Sequence, residues 1–196
     1  MEKDTINVEL DDIEKTKINN KMEQDITWEE CYDRFENVVS FYSSYELNAW
    51  NYFISIYDDI PQEHRLKIML LGIYTYYEFT ISEFYQFLKR TLDDETREQR
   101  WVRIKSNKKV LKKYLDKRNF IILYRGVSNY SFDEERAISY TVNKSKAEWF
   151  ANRVPNEYKK IIKKEFHLSE ILLYTNNRKE KEIIVIPKCL DYLEFD

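Results

Sequence analysis

Apolar positions recur at helical spacing from Thr27 to about residue 118, then at strand-like spacing from Phe120 onward. The run Leu66, Leu70, Ile73, Tyr77, Ile81, Phe84, Leu88 steps by four and three. That spacing predicts one face of a long amphipathic helix. Tyr74, Tyr76 and Tyr85 thicken the same face, which is expected to be core. Upstream, Thr27 with Glu30 forms a capping box that opens a helix. Ser43 with Glu46 opens another, carrying Leu47, Trp50, Phe53, Ile54 and Tyr57 and ending near Pro61. Residues 100 to 118 predict a basic helix with Ile104, Leu111 and Leu115 turned inward.

Beyond Phe120 the pattern predicts short strands at 120–124, 138–142, 164–174 and 182–187. A short helix separates the second from the third, with Ser145 as N-cap and Glu148 at N3. Its inward face is Ala147, Phe150, Ala151 and Val154. The expected class is therefore α+β. Residues 1–25 are expected to be a mobile acidic N-terminus, 26–118 a helical region, and 119–196 an α+β region. No Gly- or Pro-rich linker lies at the junction, so the halves are expected to pack into one body.

Composition narrows the chemistry. With 196 residues, 43% hydrophobic and 16% aromatic, the chain can bury a real core. Its net charge of -3 is unevenly spread. Residues 1–60 carry 15 acidic against 5 basic side chains, a net of -10, which leaves +7 for the rest. Lys105, Lys108, Lys109, Lys112 and Lys113 fall on one helical face, either a solvated surface or a docking face for an anionic partner such as nucleic acid. Gly72 and Gly126 are the two glycines, which excludes GxGxxG and P-loop phosphate cradles. Cys31 and Cys189 stand alone and suggest free thiols in a reducing compartment, with no metal site. His64 and His167 match no catalytic arrangement. The start lacks a signal-peptide pattern and no apolar run approaches a membrane span, so a soluble cytoplasmic protein is expected.

Three polar groups interrupt the strands. Tyr124-Arg125-Gly126 ends the first, Ser139-Tyr140-Thr141 lies in the second, and Glu180-Lys181-Glu182 leads into Ile183-Ile184-Val185-Ile186. Residues two apart on a strand share a face, so Ser139 with Thr141, and Glu180 with Glu182, are expected to point together. An arginine, a hydroxyl pair and a carboxylate pair suit an anionic, sugar-bearing ligand.

In this order the three groups resemble the motifs of mono-ADP-ribosyltransferases of the arginine, Ser-x-Ser/Thr, Glu-x-Glu class. Ala147-Glu148-Trp149-Phe150-Ala151-Asn152-Arg153 and Arg178-x-Glu180-x-Glu182-Ile183-Ile184-Val185 are similar to small bacterial and phage-borne members. The resemblance covers about residues 120 to 188 and leaves out the helical half. It implies a split β-sheet core and NAD+ as a substrate, with no metal. Glu182 would stabilise positive charge developing on the ribose as nicotinamide leaves. Glu180 would orient or deprotonate the acceptor. Arg125 would hold the diphosphate, because a guanidinium fork fits phosphate oxygens. Gly126 would let backbone approach the nicotinamide amide, with Tyr124 beside it. Ser139 would orient Glu182, and Thr141 would support the central strands.

Phe150 is either a nicotinamide platform or core. Arg153 is either a cation–π partner of Trp149 or a phosphate ligand. The acceptor would be a macromolecule, either a protein side chain, possible arginine included, or nucleic acid. An AT-rich coding composition, rich in Lys, Asn, Ile and Tyr, fits a bacterial toxin, a defence effector or a phage protein acting on its host, with an antitoxin or host target as further partner. The alternatives are an NAD glycohydrolase, and a non-enzymatic inhibitor or interaction module that keeps the fold.

Overall fold

The computed structural model describes residues 27–42, 49–74, 81–128, 131, 134–153, 158–176 and 179–191. The acidic segment 1–25, the Ser43–Glu46 cap, Tyr76, Tyr77, Val154 and Arg178 lie outside the described residues. The chain divides into two compact units, Met1–Phe84 and Tyr85–Asp196.

In the first unit, α1 (Trp28–Tyr42) opens on the expected capping box. Thr27 N donates to Glu30 Oε2 at 3.0 Å, and Glu30 N donates to Thr27 Oγ1 at 3.3 Å. The pair satisfies two otherwise orphaned donors of the first turn. α2 (Ala49–Ser55) buries Trp50 and Phe53. α3 (Gln62–Ile68) runs into a π-helical turn, Met69–Ile73, where Tyr74 N reaches back five residues to Met69 O at 2.9 Å. The expected regular helix over 66–88 therefore carries a π turn in its first half, and its second half includes α4 (Ile81–Asp93). A Cβ on Gly72 would lie 2.9 Å from Phe35 Cε1, so this position lets α1 pack closely on the π turn. Cys31 is buried here, and burial pushes its thiol up to about 11.

The second unit is α+β with an antiparallel sheet. α5 (Arg97–Leu111) has Thr96 and Gln99 as its capping box. It is shorter than the expected 100–118, so Lys112 and Lys113 follow its last turn. The strands are β1 (Phe120–Ser128), β2 (Ser139–Thr141), β3 (Lys159–His167), β4 (Ile171–Thr175) and β5 (Glu182–Val185), in sheet order β3-β1-β2-β5-β4. α6 (Lys144–Asn152) follows β2. Its N-cap is Asn143 rather than Ser145, because Asn143 Oδ1 accepts from Ser145 N at 3.0 Å and Lys146 N at 3.4 Å.

One predicted strand resolves differently from expectation. The run 164–174 is two strands, parted by a 3-10 turn at Leu168–Glu170 that His167 caps. β3 begins among exposed lysines because it is an edge strand with one face toward solvent. The sheet is one hydrogen-bonded array, yet its two sides differ. β1 and β3 pair over nine residues, whereas β1 meets β2 at Tyr124↔Thr141.

One face of the sheet carries the core: Ile121, Leu123, Tyr140, Phe166, Ile183 and Val185, with Leu111 of α5. α5 also caps a defect at the edge. β4 shifts register against β5 between Ile171 and Leu173. Such a bulge leaves carbonyls without ladder partners. Asn107 Nδ2 donates to Ile171 O at 3.0 Å and Leu172 O at 3.4 Å, while Arg103 Nη1 donates to Ile171 O at 2.8 Å. Glu95 holds Arg103 through two 2.7 Å contacts, to Nε and Nη2. The helix that sequence alone assigns to the helical region thus belongs with the sheet.

Candidate functional site

β2 and β5 pair antiparallel with Ser139 opposite Ile184 and Thr141 opposite Glu182. Directly opposed residues share a face, so Ser139, Thr141 and Glu182 project together. Ser139 stands diagonally from Glu182, within reach of a glutamate side chain. Ser139 Oγ donates to Glu182 Oε1 at 2.5 Å, a charge-assisted length. Glu182 is 7% exposed, the one charged side chain buried among the described residues. Tyr124, opposite Thr141, is the β1 side chain that the register brings beside this group.

Glu180 reaches the same neighbourhood by another route. It precedes β5 and lies between Lys179 (φ 57°) and Lys181 (φ 51°). Two left-handed lysines break the strand alternation that would place Glu180 beside Glu182. The turn is held instead by specific bonds. Thr141 Oγ1 donates to Glu180 O at 2.9 Å, and Lys181 N donates to Asn176 Oδ1 at 3.1 Å. Thr141 therefore ties the Glu180 turn to β2, a contact the sequence does not predict. Asn176 had no sequence signal at all. Its part is set by the turn it closes.

Arg125 approaches from the other side. Register puts it opposite Ile162, on the face of Ile121 and Leu123. Its Nη1 donates to Ser139 O at 2.8 Å, so it touches the site through backbone. It pairs with no carboxylate among the described residues, and its Nε and the Tyr140 hydroxyl are buried without hydrogen-bond partners among them. Burial pushes the Tyr140 phenol up, and the nearby Arg125 guanidinium pulls it partly back.

Gly126 serves packing. A Cβ there would lie 2.1 Å from Ala147 O and 2.6 Å from Ala151 N. α6 fills the space where a Gly126 side chain would stand, and so forms a wall on the Tyr124 face. Phe150 packs against this glycine, and Arg153 Cζ sits 5.4 Å from the Phe150 ring centroid. The Arg153 partner is Phe150, not Trp149, because Trp149 turns outward and carries Lys146 at 5.6 Å. His64 lies edge-on to Trp28, and His167 bonds Ser169, so neither joins the site.

The site thus brings Ser139, Thr141, Glu182 and the Glu180 turn together, with Tyr124 adjacent. Arg125 is anchored behind it, and Lys105, Lys108, Lys109, Lys112 and Lys113 lie on a separate exposed surface. A buried carboxylate oriented by a hydroxyl can face a developing cation. Among the described residues no group of His, Cys, Asp or Glu is arranged to hold a metal ion. Among them, too, no helix is long and apolar enough to cross a membrane. Comparison with protein-family models, curated proteins and solved structures finds no match to this chain.

Proposed function

We propose that the chain is a mono-ADP-ribosyltransferase that cleaves NAD+ between nicotinamide and ribose and passes ADP-ribose to a macromolecule. The observation that carries this reading is the 2.5 Å bond from Ser139 Oγ to the buried Glu182 carboxylate. As the C–N bond breaks, its electron pair leaves with nicotinamide and positive charge grows on the ribose carbon. A carboxylate held in place by Ser139 stabilises that charge without reorganising. The acceptor then adds to the same carbon and gives up its proton, for which Glu180 is the base.

Arg125, with no carboxylate partner among the described residues, supports the reading from the opposite face, where it braces the Ser139 backbone through Ser139 O. The narrow β1–β2 junction is in keeping with a split sheet of the ADP-ribosyltransferase kind. The test is incubation with NAD+ labelled in its adenylate half plus cell lysate. Label bound to macromolecules, and lost with Glu182→Gln, is expected. Nicotinamide release without bound label would identify an NAD glycohydrolase instead. No turnover at all would leave the fold without the proposed chemistry.

A further inference from the structure

The outward face of α5 is unusual for a helix that packs on a sheet. Arg103, Asn107 and Leu111 recur every four residues and turn toward the sheet. The opposite stripe, at spacings of four, three and four, is Trp101, Lys105, Lys108 and Lys112. Lys109 and Lys113 flank it, and all five lysines are exposed. Trp101 is 59% exposed, with Lys105 Nζ 4.6 Å from its ring centroid. From Arg97 to Arg118 the chain holds ten basic and two acidic residues, a net of +8 in a protein whose total is -3.

A lysine row alone is a solvated surface more often than a site. The tryptophan changes the balance. A large aromatic ring left in water gains nothing for the fold, and here it is aligned with the charges. Every nucleobase offers a π-face to such a ring, and phosphates suit the ammonium row. A duplex keeps its bases stacked inside, so an exposed ring in line with the lysines favours a single strand.

We infer that this face of α5 binds single-stranded nucleic acid, with the phosphates along the lysine row and a base stacked on Trp101. The inference does not rest on the NAD+ reading, because binding is measured without turnover. The stripe lies opposite the residues that hold α5 to the sheet, so changing it leaves that packing intact.

The test is fluorescence anisotropy of the full chain with labelled 12-nucleotide oligo-dT and oligo-U, and with a duplex of equal length. With five lysines engaged, log K should fall against log salt with a slope of about -3.5. Trp101→Ala should weaken single-strand binding about fivefold or more, by loss of one stacked base. The triple variant K105E/K108E/K112E should abolish it at 50 to 200 mM salt, with circular dichroism unchanged. Duplex binding as tight as single-strand binding, wild-type affinity in either variant, a slope near zero, or no binding at 50 mM salt would each overturn the inference.

Discussion

Ser139 and Glu182, 43 residues apart, meet in a 2.5 Å hydrogen bond between neighbouring strands. The register explains why serine 139 and not threonine 141 makes it. Thr141 lies directly opposite Glu182 but is turned to the Glu180 carbonyl, while the longer glutamate reaches diagonally to Ser139. A hydrogen bond to a carboxylate is worth about 1.5–3 kcal/mol. Ser139→Ala should therefore slow nicotinamide release by roughly tenfold or more. Ser139→Thr, which keeps the hydroxyl, should recover part of the loss. Release rates at saturating NAD+ decide this, and an unchanged Ser139→Ala rate would remove Ser139 from the account.

Gly126→Ala should damage folding rather than ligand binding. The added methyl meets two backbone atoms of α6, at 2.1 and 2.6 Å, and neither can swing aside. Overpacking of this kind costs about 1–3 kcal/mol or more. Denaturant unfolding should show the loss at once. A stable variant would mean that α6 shifts freely on β1.

Arg103 and Asn107 should rank unequally. Asn107→Ala leaves bulge carbonyls of β4 short of donors, a loss of about 1–3 kcal/mol. Arg103→Ala also takes from Glu95, 10% exposed, its closer arginine and leaves it only the more exposed Arg100 at 3.3 Å, so it should cost more than Asn107→Ala. Thermal unfolding of the two variants checks the order. Equal losses would show that the carbonyls, not the ion pair, dominate.

Asp116 should lend stability that depends on pH. Backbone donation from Phe120, then from Arg118 with its side chain, holds this carboxyl below its usual range. The folded state therefore binds its proton more weakly than the unfolded state does. Its support is complete above the ordinary carboxylate value, about 3.9, and fades as pH falls through the lower folded value. Asp116→Asn should be less stable than wild type at neutral pH, and the two should converge in strong acid. Parallel stability curves across that range would contradict the assignment.

Much of the fold is readable from local chemistry. The Thr27–Glu30 cap, the apolar runs of β1 and β5, and the inward Ala147 and Ala151 follow from spacing alone. What spacing misses is set by tertiary context. The π turn at Met69–Ile73 hides inside a regular helical pattern, and β3 begins in lysines because it is an edge. The site is partly legible in the same way. Ser139 and Glu182 meet, a contact that the resemblance implies and that spacing alone does not. Glu180 departs from strand alternation because Lys179 and Lys181 are left-handed, and Gly126 serves helix packing because α6 needs its space. Trp101 carries no signal in sequence, since only its exposure on α5 sets it apart from a core aromatic.

The most direct measurement is nicotinamide release from NAD+ by the wild-type chain and by Glu182→Gln, with matched unfolding curves. The account predicts turnover by the wild type and a loss of about a hundredfold or more in the variant, the scale for removing one preorganised electrostatic group. Equal release by two equally folded proteins, or none by the wild type, would contradict it.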